Sequence, residues 1–175
     1  KSSAILEELV SQLPDRPEYR HLLALCDRER YLVLSPHDRK SATESLDRAI
    51  ATLEQLVRQY PQVPEYRRDL SESYAAGDLQ NPQFTQDDMA LAETRLRKAL
   101  NITQELVVQY PQVPEYLSRE AQVCHQLGIA YRKLHRLDEA EEHDRKAVTA
   151  QARLVEQFPD MPTHRVWLAG FRNSL

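Results

Sequence analysis

LVRQYPQVPEYR, residues 56–67, is written four times in this chain with small changes: LVSQLPDRPEYR from Leu9, the stretch itself from Leu56, LVVQYPQVPEYL from Leu106 and LVEQFPDMPTHR from Leu154. The copies begin 47, 50 and 48 residues apart. A fixed period of this size marks a repeated supersecondary unit that buries its apolar face only against its neighbours. Taken alone, the stretch is a hinge between two helices. Leu56, Val57 and Tyr60 close an apolar stripe, Pro61 stops that helix, and Pro64 stands where a first-turn proline is tolerated. Glu65 then suits the positive end of the next helix. Only three or four residues separate the two helices, so they are antiparallel neighbours.

Working outward, the spacing predicts helices over residues 1–13, 17–34, 39–60, 64–79, 86–110, 114–134 and 138–158, with a truncated eighth from Pro162. The second hinge of each unit varies: LSPHDRKSA around Pro36, LQNPQFTQDDMA around Pro82 and LHRLDEA around Leu137, where Asp138 and Glu141 have the spacing of a capping box. Three glycines and no sustained alternation make the class all-α. The expected architecture is one α-solenoid of antiparallel helix hairpins over 1–175, with units at about 17–60, 64–110 and 114–158 and partial units at 1–13 and 162–175. A first residue of Lys1 and a last motif copy that stops partway read as a fragment of a longer protein.

Composition narrows the function classes. The net charge of -4 excludes the basic footprint of a general nucleic-acid binder. No apolar run nears the length of a membrane span. Cys26 and Cys124 fall at non-equivalent points of different repeats, which reads as two reduced, buried thiols in a cytoplasmic protein.

The third unit runs CHQLGIAYRKLHRLDEAEEHDRKA from Cys124, with Leu127, Gly128 and Tyr131 on one helix face and Ala140 and Ala147 on the next. This resembles the tetratricopeptide (TPR) repeat. Gly128 and Ala140 lack bulk, so two helices can cross closely while Leu127 and Tyr131 fill the surrounding space. Ala42 and Ala49, and Ala92 and Ala99, keep the same seven-residue separation. The units depart from the ordinary TPR in being 47 to 50 residues long and in holding Leu46, Leu96 and Asp144 where an aromatic residue is usual. They are closer to long-unit TPR arrays in which FPxxPxYRxxLA alternates with GRxxEAExxxRxAL, found in some bacteria C-terminal to serine/threonine protein kinase domains. That resemblance implies a regulatory or recruitment region, and it carries no catalytic residue into this chain.

No reaction chemistry is legible. The glycines at 77, 128 and 170 are isolated within predicted helices, so no phosphate-cradling loop exists. Arg68, Asp69 and Leu70 resemble part of a kinase catalytic loop but lack its histidine and metal-binding asparagine, and are read as three faces of one helix with Leu70 inward. Glu139 and His143, with His135 nearby, fall short of the three or four converging ligands a zinc ion needs. The expectation is no enzyme, no cofactor and no metal site.

What the TPR resemblance implies instead is a surface, because the first helix of each unit lines a concave groove able to hold a peptide. Register nominates His21, Leu25, Arg28 and Leu32; then Arg68, Glu72, Ala75 and Leu79; then Ser118, Gln122, His125, Ile129 and Arg132; and Val166, Gly170 and Asn173 in the last unit. Arg28, Arg68, Glu72, Gln122, His125, Ile129, Arg132 and Asn173 are the candidate partner-binding residues. Arginine supplies 18 of the 23 basic residues, which suits carboxylate pairing with an acidic or C-terminal peptide. The asparagines and lysines of chaperone-tail clamps are absent, their places held by Ala76, Gln126 and Ser174 or Glu72, Gln122 and Gly170. The alternative is a structural spacer or self-association element, since Ile5, Leu6 and Leu9 at one end and Trp167, Leu168, Phe171 and Leu175 at the other would leave apolar stripes for end-to-end pairing.

Overall fold

The computed structural model describes residues 2–13, 15–35, 37–77, 79 and 84–160. They form α1 (Ser2–Gln12), α2 (Pro17–Leu34), α3 (Arg39–Gln59), α4 (Pro64–Tyr74), α5 (Gln86–Gln109), α6 (Pro114–Lys133) and α7 (Leu137–Gln157), and no strand occurs among the described residues. The all-α class and the helix positions match the sequence expectation. The eighth helix expected from Pro162 lies outside the described residues.

The repeated hinge has one geometry in three places. Tyr60, Tyr110 and Phe158 end α3, α5 and α7 with φ/ψ of -132°/64°, -131°/63° and -129°/66°. Each donates its N–H to the carbonyl of Leu56, Leu106 or Leu154, and each of those leucines is buried. The following proline excludes the helical ψ at the capping residue, which explains the shared stop. The next helix opens on proline at its first position and needs no side-chain cap. Across two of the hinges, Tyr60 meets Tyr66 and Tyr110 meets Tyr116 edge to face, at 6.2 and 6.0 Å between ring centres.

The variable hinges differ from the reading of the sequence. Asp138 and Glu141 form no capping box: α7 starts at Leu137 from an uncapped Arg136, so Asp138 lies inside the first turn. The capping box stands instead at α5, where Asp88 N–H donates to Thr85 Oγ1 and Thr85 N–H donates to Asp88 Oδ2. Helix α6 closes with a Schellman motif, Arg136 N–H on the Tyr131 carbonyl and His135 N–H on the Arg132 carbonyl, which puts His135 at a left-handed φ of 59°. Helix α4 stops at Tyr74, five residues before the expected end. Gly77, expected inside that helix, lies beyond it with an extended φ of 158°.

The chain divides into two compact units, Lys1–Ser73 and Tyr74–Leu175. In the first, α2 packs along α3 and against α1. In the second, α6 packs against both α5 and α7, and Val107, Leu117 and Leu154 meet in a core that Tyr116 and Phe158 flank. Five of the six register alanines, Ala42, Ala49, Ala99, Ala140 and Ala147, are at most 2% exposed, and Ala92 is half-buried. No helix among the described residues is long and apolar enough to cross a membrane.

Ala140→Leu overpacks the α6–α7 crossing and is expected to lower the unfolding free energy by about 1–3 kcal/mol, read as a shift of the urea midpoint at unchanged slope. Ala92→Leu, at the half-buried equivalent, is expected to shift it by less than about 0.5 kcal/mol.

Candidate functional site

The nominated residues of the first unit belong to α2 and α4. Arg28 donates to Glu72 at 2.7 Å, so two of them are each other's partners. Arg68 lies 3.0 Å from Asp69, and His21 Nε2 lies 2.6 Å from the other oxygen of the same carboxylate. The Asp69 side chain is 3% exposed. Burial alone would push its carboxyl up, but the bonds from His21 and Arg68 outweigh this and hold it below the ordinary aspartate value. His21 also meets the Tyr66 ring edge on, at 4.8 Å.

The second unit repeats the pattern with different residues. Asp144 of α7 is 2% exposed, pairs with Arg132, and lies 3.4 Å from His125 Nδ1. Gly128 makes room for it: a Cβ there would stand 2.9 Å from Asp144 Cγ and closer still to Oδ1. The close approach that the sequence assigned to Gly128 is therefore an approach to a carboxylate. Gln122 accepts from Arg119 at 3.1 Å and donates to Ser118 at 3.4 Å, and Ile129 is half-buried. In the second unit the structure thus sets Ser118, Gln122, His125, Ile129 and Arg132 along one side of α6. Asn173 lies outside the described residues. Ala75 and Leu79, also nominated for the groove, are 7% and 5% exposed and belong to packing.

The electrostatic consequence is that Arg28, Arg68 and Arg132 each hold a carboxylate of the chain itself. The three arginines orient helices against one another, and an acidic ligand would compete with those pairs.

Two features escaped the sequence reading. Glu93 of α5, 8% exposed, takes both Nη1 bonds of Arg136 at 2.9 and 2.8 Å and a third from Arg97, while the Arg136 guanidinium lies over the Tyr131 ring. Hydrogen bonds from Glu139 first and Glu93 second raise the Arg136 pKa. The network ties α5, α6 and the start of α7 together. The other feature is a cleft of about 490 Å³ in the second unit, lined by Glu120 and Cys124 of α6 and by Glu142, Lys146, Ala150 and Arg153 of α7. Burial, aided by Glu120 and opposed by Lys146, pushes the Cys124 thiol up to about 12, so it remains protonated and is no nucleophile at neutral pH.

Comparison with known proteins agrees with the hairpin geometry over a short span. The tetratricopeptide repeat family matches residues 42–62, from Ala42 in α3 through the hinge at Pro61. Repeats of this family in general mediate protein–protein interaction. No curated protein matches the chain. A thermophilic TPR protein of Thermus thermophilus is similar in structure, at 18% identity and a TM-score of 0.46, over 97% of this chain and 88% of that one.

Two outcomes follow from the buried carboxylates. Because Asp69 titrates below its ordinary value, its stabilisation is present above about pH 4 and lost as the pH falls through the folded-state value. Asp69→Asn is expected to flatten that acid limb and to cost about 1–3 kcal/mol at neutral pH in chemical denaturation. Gly128→Ala, which in an open helix would gain about 1 kcal/mol, is expected to destabilise by a similar amount or more. The double variant Gly128→Ala, Asp144→Ala is expected to recover part of that loss, a coupling that a double-mutant cycle measures.

Proposed function

We propose that this chain is a non-catalytic protein-interaction scaffold whose first helices, α2, α4 and α6, hold a peptide or partner protein along their solvent-facing side. The observation that carries the reading is the line Ser118, Gln122, His125, Ile129 and Arg132 on α6. Every member is half-buried, two of the five are oriented by Asp144 and two by hydrogen bonds along α6. Such side chains are already ordered before a ligand arrives, so little rotamer entropy is lost on contact. In this reading Arg28, Arg68, Glu72 and Asn173 contribute to the same function in their own units. The long unit and the FPxxPxYR-type hinges support a regulatory or recruitment region of a serine/threonine kinase protein. The unpaired Cys26 and Cys124 support a cytoplasmic setting.

Self-association is the second reading, and α1 favours it. Leu6 and Leu9 are half-exposed, whereas their register equivalents Leu53 and Leu56 are fully buried.

Selection of a displayed random-peptide library against the chain tests the first reading. Enriched peptides are expected to lose binding at least about tenfold to Gln122→Glu, Ile129→Glu at unchanged helicity by circular dichroism, since a new charge then meets the contact. Peptides that bind the variant equally well, or a library that enriches nothing, would count against the groove.

A further inference from the structure

We propose that copies of this chain join head to tail, with residues 162–175 of one copy seated as a helix on the α1–α2 face of the next. The proposal rests on the self-association reading and names its surface.

The face is apolar where the repeat elsewhere is covered. The first helices begin at Pro17, Pro64 and Pro114, so Leu22 and Leu25 of α2 stand in the register places of Asp69 and Glu72 of α4. Within the first unit those two carboxylates receive His21 and Arg28 from α2, and Asp69 is 2% exposed. Leu22 is 47% exposed. Further along, Leu32 is 53% and Val33 70% exposed, against 5% for Leu79 and 0% for Ala130 at the equivalent places. Ile5 of α1, 61% exposed, adds to the same uncovered apolar area of the first unit. What the repeat places over such positions is a first-type helix, as α2 is placed over α4.

The sequence of residues 162–175, PTHRVWLAGFRNSL, matches this seat in a specific way. It opens on the hinge proline, so Val166 takes the place of His21 and Asn173 the place of Arg28. Both cationic or ionisable residues of the α2–α4 contact are replaced, by an apolar and a neutral residue. On the receiving side both carboxylates are replaced too, by Leu22 and Leu25. An ionic helix–helix contact has been exchanged for an uncharged one on its two sides together, which avoids leaving a charge unpaired on an apolar surface. Arg165 and Arg172 make the segment basic, and exposed Glu7, Glu8, Glu18 and Glu29 stand on the two receiving helices. Donor and receiver are different surfaces, so the contact is heterologous and each copy keeps one of each.

Sedimentation velocity of the full chain over a concentration series tests this. The weight-average mass is expected to rise through dimer without levelling. Leu22→Asp is expected to weaken association by about tenfold or more, by setting an unpaired carboxylate on the contact. Adding Val166→His to Leu22→Asp rebuilds the pair that His21 and Asp69 make, and is expected to restore association, which a merely misfolded variant would not show. Association that ignores Leu22→Asp, a mass that stops at dimer, or a failure of Val166→His to restore association would overturn this surface while leaving self-association standing. A strict monomer at every concentration would overturn both.

Discussion

The constraint on which the rest depends is a proline placed directly after an aromatic helix end. It excludes the helical ψ at Tyr60, Tyr110 and Phe158, and all three residues settle within a few degrees of one another. A second proline three residues later restarts the chain as a helix. The linker is too short for anything but an antiparallel return, so the apolar stripes of the two helices are turned toward each other. Leu56, Leu106 and Leu154, which accept the capping N–H groups, are thereby driven into the core.

With the backbone so placed, the closeness of the helices is set by small residues, and this gives the buried carboxylates their role. Asp144 occupies the register place of Leu46 and Leu96, and all three are 2% exposed. A leucine there needs only apolar neighbours, whereas an aspartate needs partners, and Arg132 and His125 supply them. Asp69 with His21 and Arg68, and Glu93 with Arg136 and Arg97, solve the same problem in other places. Removing one member leaves a desolvated charge, so these clusters act as registers for helix packing more than as reservoirs of stability. The same pairs order the side chains that face outward, which links packing to the proposed contact function.

How much of this was legible depends on the kind of signal. Proline and the apolar period announce hinges and helices by sterics that act within a few residues, and those positions agree with the structure. The end of α4 was not announced, because the residues after Tyr74 carry no proline and Gly77 was read as a packing glycine. The capping box was assigned to Asp138 on spacing alone, while Thr85 and Asp88, which form it, sit behind a longer and less regular hinge. Buried Asp69, Asp144 and Glu93 were missed because charge was equated with exposure. The period itself held the clue, since Asp144 falls on the inward register of two leucines. Partner residues such as Arg28 and Glu72 were correctly placed on the first helices, but their mutual pairing depends on two helices meeting and on no local pattern.

Amide hydrogen exchange resolved by residue tests the hinge account most directly. The N–H groups of Tyr60, Tyr110 and Phe158 are expected to exchange as slowly as the interior of α3, α5 and α7, because each is bonded to a buried leucine's carbonyl. The N–H groups of Gln62 and Gln112, which lie in the exposed turn, are expected to exchange fast. Fast exchange at the three aromatic amides, or protection running unbroken from one helix through the turn into the next, would contradict it.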